Sequence, residues 1–189
     1  MKRPIFTLLL LIFISQLFSQ NRMYVQDPQD WWWNENNAKV ENIELTIRPV
    51  GLYAEVKFAF DLKSEDFRYF GTGIPLEYVF EFNMPEEIVF NESWLWIDDY
   101  ISVGEIYEAG EGTQIYEDIV DRRQDPSILT KHSSRKYSLR VYPLDPDSTR
   151  RVQLSYLTPF EFNDREAEVS FPLEIFNNSS EVVQNVSLK

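Results

Sequence analysis

Apolar and polar side chains alternate one by one along several stretches of this chain, and that pattern fits only one kind of backbone. Ile43, Leu45 and Ile47 point one way. Ala54, Val56, Phe58, Phe60 and Leu62 do the same against Glu55, Lys57 and Asp61, and Tyr78, Phe80 and Phe82 flank Glu81. Side chains on a strand project to opposite faces with a period of two, whereas a helix repeats every 3.6 residues, so each stretch predicts a half-buried strand. The period returns at Tyr137, Leu139 and Val141, at Val152, Leu154 and Tyr156, and at Ala167, Val169, Phe171, Leu173 and Ile175. Pro49 and Gly51 in "RPVG" supply one turn, and Pro143 and Pro146 in "PLDPDSTR" keep another out of the ladder. Residues 88–101, "IVFNESWLWIDDYI", are apolar on both faces, which predicts a central strand covered on two sides or two short strands split at residues 91–93. About seven short strands separated by turns predict an all-β protein, an antiparallel β-sandwich.

One segment breaks the pattern. Residues 110–127, "GEGTQIYEDIVDRRQDPS", place Ile115 and Ile119 four apart with Tyr116 and Val120 beside them, which is helical spacing. Thr113 is the expected N-cap, Arg122 and Arg123 suit the C-terminal end of the helix dipole, and Asp125-Pro126 ends the segment. Ile115, Tyr116, Ile119 and Val120 are the expected packing residues of a helix laid as a lid over the sandwich, where it would cover an open end or strand edge.

The 189 residues suit one domain, and 43% hydrophobic and 15% aromatic residues provide ample core. Lys2 and Arg3 followed by an apolar run from Ile5 to Phe18 have the composition of an export signal, too short for a comfortable membrane span. Cleavage is expected after Ser19 or Gln20. An uncleaved N-terminal anchor is the alternative, and only in that case would the protein be held at a membrane. Residues 21–39 read as a linker, 40–176 as the sandwich domain, and 177–189 as the start of a further strand or of a truncated next domain. The formal charge of −13 becomes −15 once the first twenty residues are removed, leaving 16 basic against 31 acidic residues. Nucleic acid is thereby disfavoured as a partner, because phosphate contact requires a basic patch. The absence of cysteine excludes disulfides, zinc–thiolate sites, thiol nucleophiles and lipid attachment at a cysteine.

Chemistry is sparse. His132 is the sole histidine and sits in the polar stretch "KHSSRK", so sites built from several histidines are impossible and a solvated loop residue is expected. Glu86 with Glu87, and Asp98 with Asp99, are paired carboxylates of the kind used in glycoside hydrolysis, but neighbours on a strand point to opposite faces. "GTG" and "GEG" lack the framing and lysine of a phosphate loop. No metal site, cofactor or catalytic residue is therefore predicted. Trp31, Trp32 and Trp33 are the candidate binding residues, able to stack on sugars or peptides or simply to pin the linker to the domain. Asn91, Asn177, Asn178 and Asn185 begin glycosylation sequons.

The order of these motifs resembles a known family. "NAKVENIELTIRPVGLYAEVKFAFDL" is similar to its two opening strands. "YVFEFNMPEEIVFNESWLWIDDYISVGEIYEAGEGTQIYEDIV" carries its aromatic strand, the proline before the next strand and the "GEI" preceding a "YEDIV"-type helix. "KYSLRVYPLDPDSTRRVQLSYLTPF" matches its strand, proline-containing turn and strand ending in "LSY". The chain is thus identified as a member of the VIT family, the vault protein and inter-alpha-trypsin inhibitor heavy-chain module. The resemblance implies a β-sandwich-like module, usually placed ahead of a von Willebrand A domain. The Asp-x-Ser-x-Ser metal site of such A domains is not carried over, since "DPDST" at 145–149 fails at both serine positions. The implied function is an exported, non-enzymatic protein-interaction or structural module with a protein partner, forming the N-terminal part of a larger secreted or cell-envelope protein. An A domain would then lie beyond Lys189. A carbohydrate- or peptide-binding module using Trp31, Trp32 and Trp33 is the alternative, and a hydrolase built on paired acids is a third class.

Overall fold

A computed structural model describes residues 21–28, 35–64, 75–97, 100–104, 107, 109–121, 126–145 and 148–189. The strands are β1 Arg22–Gln26, β2 Asn36–Val50, β3 Tyr53–Ser64, β4 Leu76–Asn83, β5 Val89–Ile97 and β6 Tyr100–Val103. The helix α1 spans Ala109–Asp121, followed by β7 Ser127–Lys131, β8 Lys136–Leu144 and β9 Thr149–Pro159. Two short strands, β10 Glu161–Phe162 and β11 Ala167–Glu168, precede a 3-10 turn at Leu173–Phe176 and β12 Val186–Leu188. Nine strands form one path in the order β6-β5-β9-β3-β2-β1-β4-β8-β7, antiparallel throughout, and β12 joins β2 in parallel. The protein is mainly all-β, with one helix among the described residues.

The path is curled. β1 pairs with β4 along its whole length but meets β2 only at Tyr24↔Asn37 and Val25↔Asn36, so the sheet bends there and its halves face each other. Aromatic rings fill the space between them: Phe60 of β3 meets Phe80 of β4 at 6.0 Å, and Phe90 of β5 meets Tyr137 of β8 at 4.9 Å. Edge-to-face geometry of this kind adds to the area that each ring buries. The 3-10 turn pushes Phe176 into the same interior, 5.3 Å from Phe60 and 5.7 Å from Phe80.

A β-bulge sets the phase of β2. Glu41 lies opposite Asp61 and Glu44 opposite Ala59, so two residues, Asn42 and Ile43, share one place in the ladder. Asn42 takes the left-handed conformation at φ 52°, and buried positions run Ala38, Val40, then Ile43, Leu45. Beyond the bulge the free side of β2 receives the end of the chain: Ile43 N–H donates to the Asn185 carbonyl and Lys189 N–H to that of Leu45.

Five expectations from sequence are corrected. The stretch read as a linker contains β1, whose Met23 and Val25 are buried. Residues 88–101 form neither a fully covered central strand nor a split at residues 91–93. β5 runs through a register shift at Phe90/Glu92 and pairs back with β6, burying Leu95 and Ile97 while Trp94 and Trp96 take the outer face. The expected strand over 167–175 is a two-residue pairing followed by the 3-10 turn, because Pro172 lacks the N–H that a ladder needs and leads into the turn. Thr113 is no N-cap, since α1 begins at Ala109. Most consequentially, α1 does not lie across the shared interior. Tyr116 and Val120 bury against Tyr142 and half-buried Ile128, a small cluster separate from the main core, on the outer face of β4, β8 and β7.

Candidate interaction groove

The two ends of the curled sheet do not meet. β6 covers β5 only from Trp94 to Ile97, and among the described residues no strand pairs with the second edge of β7. Between these edges lies a cavity of about 690 Å³, bounded by residues 88–93 on one side, by 126–131 on the other and by α1 along its flank. Ile88, Phe90 and Tyr137 line it from the core, and half-buried Ile115 and Ile119 face it from the helix. Its volume falls within the range of about 300–1,000 Å³ usual for ligand sites. Val89, Val103 and Tyr107 lie along it and remain exposed, at 63%, 59% and 45%, and they alternate with polar residues such as Asn91, Ser102 and Lys131.

A buried polar network fixes the flanking helix. Glu77 on β4 has no exposed surface, and its alternation points it outward, under α1. The Tyr116 hydroxyl donates to Glu77 Oε1 at 2.6 Å, Arg140 Nε to the same oxygen at 2.9 Å, and Gln26 Nε2 to Oε2 at 2.7 Å. Arg140 also donates to Glu117 Oε1 at 2.7 Å, and its guanidinium lies 4.7 Å from the centre of the Tyr116 ring. A buried carboxylate is tolerable only when so paired. Burial, then the nearby Glu77 charge, pushes the Tyr116 phenol well above its ordinary pKa.

The sequence-predicted residues divide. Ile115, Tyr116, Ile119 and Val120 come together, Tyr116 and Val120 in the helix cluster, Ile115 and Ile119 at the groove. Trp31, Trp32 and Trp33 lie outside the described residues, as do Asp98, Asp99, Arg122, Arg123 and the proposed export signal. Glu86 and Glu87 are exposed on the turn between β4 and β5. His132 Nε2 is 2.7 Å from Ser138 Oγ at the β7–β8 turn. Among the described residues, no group of three or more His, Cys, Asp or Glu side chains is placed to hold a metal ion, and no helix is long and apolar enough to cross a membrane.

Sequence reasoning missed Trp94 and Trp96. Their rings lie 6.1 Å apart, with Lys57 Nζ 5.6 Å from Trp94 and the Arg151 guanidinium 5.7 Å from Trp96. Lys57 also bonds Glu92 at 2.9 Å, and Arg151 bonds Glu44 at 2.8 Å and Asp61 at 3.1 Å. The cations are thus engaged within the sheet's own surface. Alternation from Leu95 and Ile97 places both tryptophans outward, a signal hidden by the overall hydrophobicity of the stretch.

The family model described as vault protein inter-alpha-trypsin domain matches residues 40–156. No curated protein matches the chain. Among solved structures, the chain is similar to an M1 zinc metallopeptidase mutant from Deinococcus radiodurans with a bound Tyr-Ser-Ala substrate, at 13% identity and a TM-score of 0.35. That match covers 68% of this chain and 22% of the peptidase. A two-domain M1 zinc metallopeptidase mutant with bound L-tryptophan gives 12% identity and a TM-score of 0.35, over 73% of this chain and 23% of the other. The chain therefore spans under a quarter of either structure.

Proposed function

Because the chain belongs to the vault protein inter-alpha-trypsin (VIT) domain family, we propose that it is an exported, non-enzymatic protein-interaction module, the N-terminal part of a larger secreted or cell-envelope protein. The observation that carries the interaction reading is the open groove with exposed Val89, Val103 and Tyr107 beside it, since apolar surface left out of a core marks a site for a partner. Export is supported by Lys2 and Arg3 ahead of the apolar run from Ile5. A non-enzymatic role is supported by Glu86 and Glu87, which stand exposed on a turn.

Expression of the full chain in a secreting bacterial host tests this reading. Intact-mass measurement should find it outside the cytoplasm and shorter by about 20 residues. Photocrosslinking from benzoylphenylalanine at Val103, in the compartment that receives it, should join it to another protein. Retention in the cytoplasm, or turnover of a peptide or glycan by the purified chain, would contradict the proposal.

A further inference from the structure

We propose that the groove takes an extended peptide segment of a partner protein, added as a strand to the free edge of β7, with alternate apolar side chains inside and basic residues at its ends. This inference rests on the interaction-module reading and specifies how the partner is held.

The main chain carries the argument. Tyr142 N–H donates to the Pro126 carbonyl and His132 N–H to that of Lys136, which fixes the hydrogen-bonding phase between β7 and β8. Antiparallel pairs alternate between bonded and non-bonded, so Ile128 and Thr130 bond to β8, and Ser127, Leu129 and Lys131 turn their N–H and C=O groups toward the groove. On the opposite side, residues 89–92 of β5 pair with β9 and extend beyond the reach of β6. Two strand edges thus border one cavity. Bonded strands stand about 4.8 Å apart, so a peptide paired with the free edge of β7 lies at that distance from it, on the side of the cavity. Strand addition of this kind is a recurrent mode of peptide recognition, in which main-chain bonds give affinity and pockets for alternate side chains give specificity.

The chemistry of the walls selects among peptides. Ile88, Phe90 and Tyr137 form an apolar floor that suits every second side chain of the incoming strand. Four exposed carboxylates are sequence neighbours of lining residues, Glu86 and Glu87 before Ile88 and Glu111 and Asp118 beside Gly112 and Ile119. The lining acid Glu92 is paired with Lys57, and Arg135 bonds the Met84 carbonyl near the Glu86–Glu87 turn. Lys131 is the one cation among the described lining residues, and the chain carries a net charge of −13. Acidic surroundings attract basic flanks and repel acidic ones.

The test uses the full chain, labelled for NMR, and two synthetic peptides, KKVTVTVKK and EEVTVTVEE. The basic peptide should bind and slow amide exchange at Leu129 and Lys131, and the acidic one should bind at least about tenfold more weakly. Lys131→Pro removes a groove-facing N–H from an edge strand together with the side chain that lies over the Tyr137 ring, and should weaken binding by about tenfold or more. Lys131→Ala, which removes the side chain and keeps the N–H, should leave it within about twofold. Failure of KKVTVTVKK to bind, equal affinity for both peptides, protection elsewhere on the surface, or unchanged binding by Lys131→Pro would overturn the proposal. If crosslinks from Val103 to another protein still form in that event, the module reading stands and only the docking mode is wrong.

Discussion

The Tyr116 hydroxyl donates a 2.6 Å hydrogen bond to Glu77, joining a side chain of the helix to a carboxylate with no exposed surface on β4. Arg140 on β8 completes the junction by bonding both Glu77 and Glu117. The helix that flanks the groove is thus held by a polar clamp as well as by Val120. Tyr116→Phe removes one bond to a buried anion and should lower stability by about 2 kcal/mol. Glu77→Ala takes the buried partner away from the half-buried Arg140 guanidinium and from the Tyr116 hydroxyl, leaving Arg140 only exposed Glu117, and should cost about 3 kcal/mol. Urea unfolding curves measure both, and equal stability of Glu77→Ala and the parent would refute the clamp.

Alkaline pH should unfold the protein through its buried phenols. Burial raises the pKa values of Tyr78 and Tyr156, and burial together with the Glu77 charge raises that of Tyr116. An unfolded chain releases these protons near pH 10, about the ordinary tyrosine value, while the folded protein retains them. Their contribution to stability is therefore complete below about pH 10 and is lost progressively above it. The urea midpoint should fall between pH 10 and 12, and less steeply in Tyr116→Phe. Tyr78 is a further case, because its hydroxyl is buried with no hydrogen-bond partner among the described residues. Tyr78→Phe should accordingly be neutral or stabilising by about 1 kcal/mol at pH 7.

The bulge in β2 depends on Asn42, at φ 52°. Its side chain also bonds Asp61 at 2.8 Å and accepts from Asn185 at 2.9 Å. Asn42→Gly keeps the backbone conformation accessible, whereas Asn42→Val forces a β-branched residue into the left-handed region at about 1–2 kcal/mol. Thermal unfolding should therefore rank the parent first, Asn42→Gly next and Asn42→Val last. A reversed order for the two variants would show that the bulge is not what keeps Ile43 and Leu45 in the core.

Two glycines should respond in opposite directions. Among the described residues a Cβ at Gly110 meets nothing within 4 Å, so Gly110→Ala, in the first turn of α1, should stabilise the protein by about 0.4–1 kcal/mol. At Gly104 the added carbon would stand 3.1 Å from the Ser93 carbonyl oxygen, the atom that accepts a 2.7 Å hydrogen bond from the Gly104 N–H. Gly104→Ala should destabilise the protein and disturb the groove at Ser93, visible as chemical-shift changes in residues 91–94. A stabilised Gly104→Ala would refute that close approach.

The long strands were legible because β3, β4, β8 and β9 each repeat the period of two several times over. β1 and β7 have five residues each, and pairs such as Met23 with Val25 are too few to distinguish a strand from a polar segment with chance hydrophobes. The helix was visible in Ile115 and Ile119, but not the side of the sheet on which it lies. That side depends on Glu77, Arg140 and Tyr142, the outward residues of strands read for their inward ones. The groove had no sequence signature, since it is made of main-chain edges brought together by the curl of the sheet. Residues 167–175 kept the alternation without the partner: periodicity reports which faces a chain could bury, and Pro172 decides that this stretch does not join the ladder.

Amide hydrogen exchange along β7 of the free chain tests the open groove most directly. The account predicts an alternation, with Ile128 and Thr130 protected by their bonds to β8 and Leu129 and Lys131 exchanging at least about tenfold faster. Uniform protection of these four amides would mean that the second edge of β7 is already paired, and that the sheet has no seam for a partner to enter.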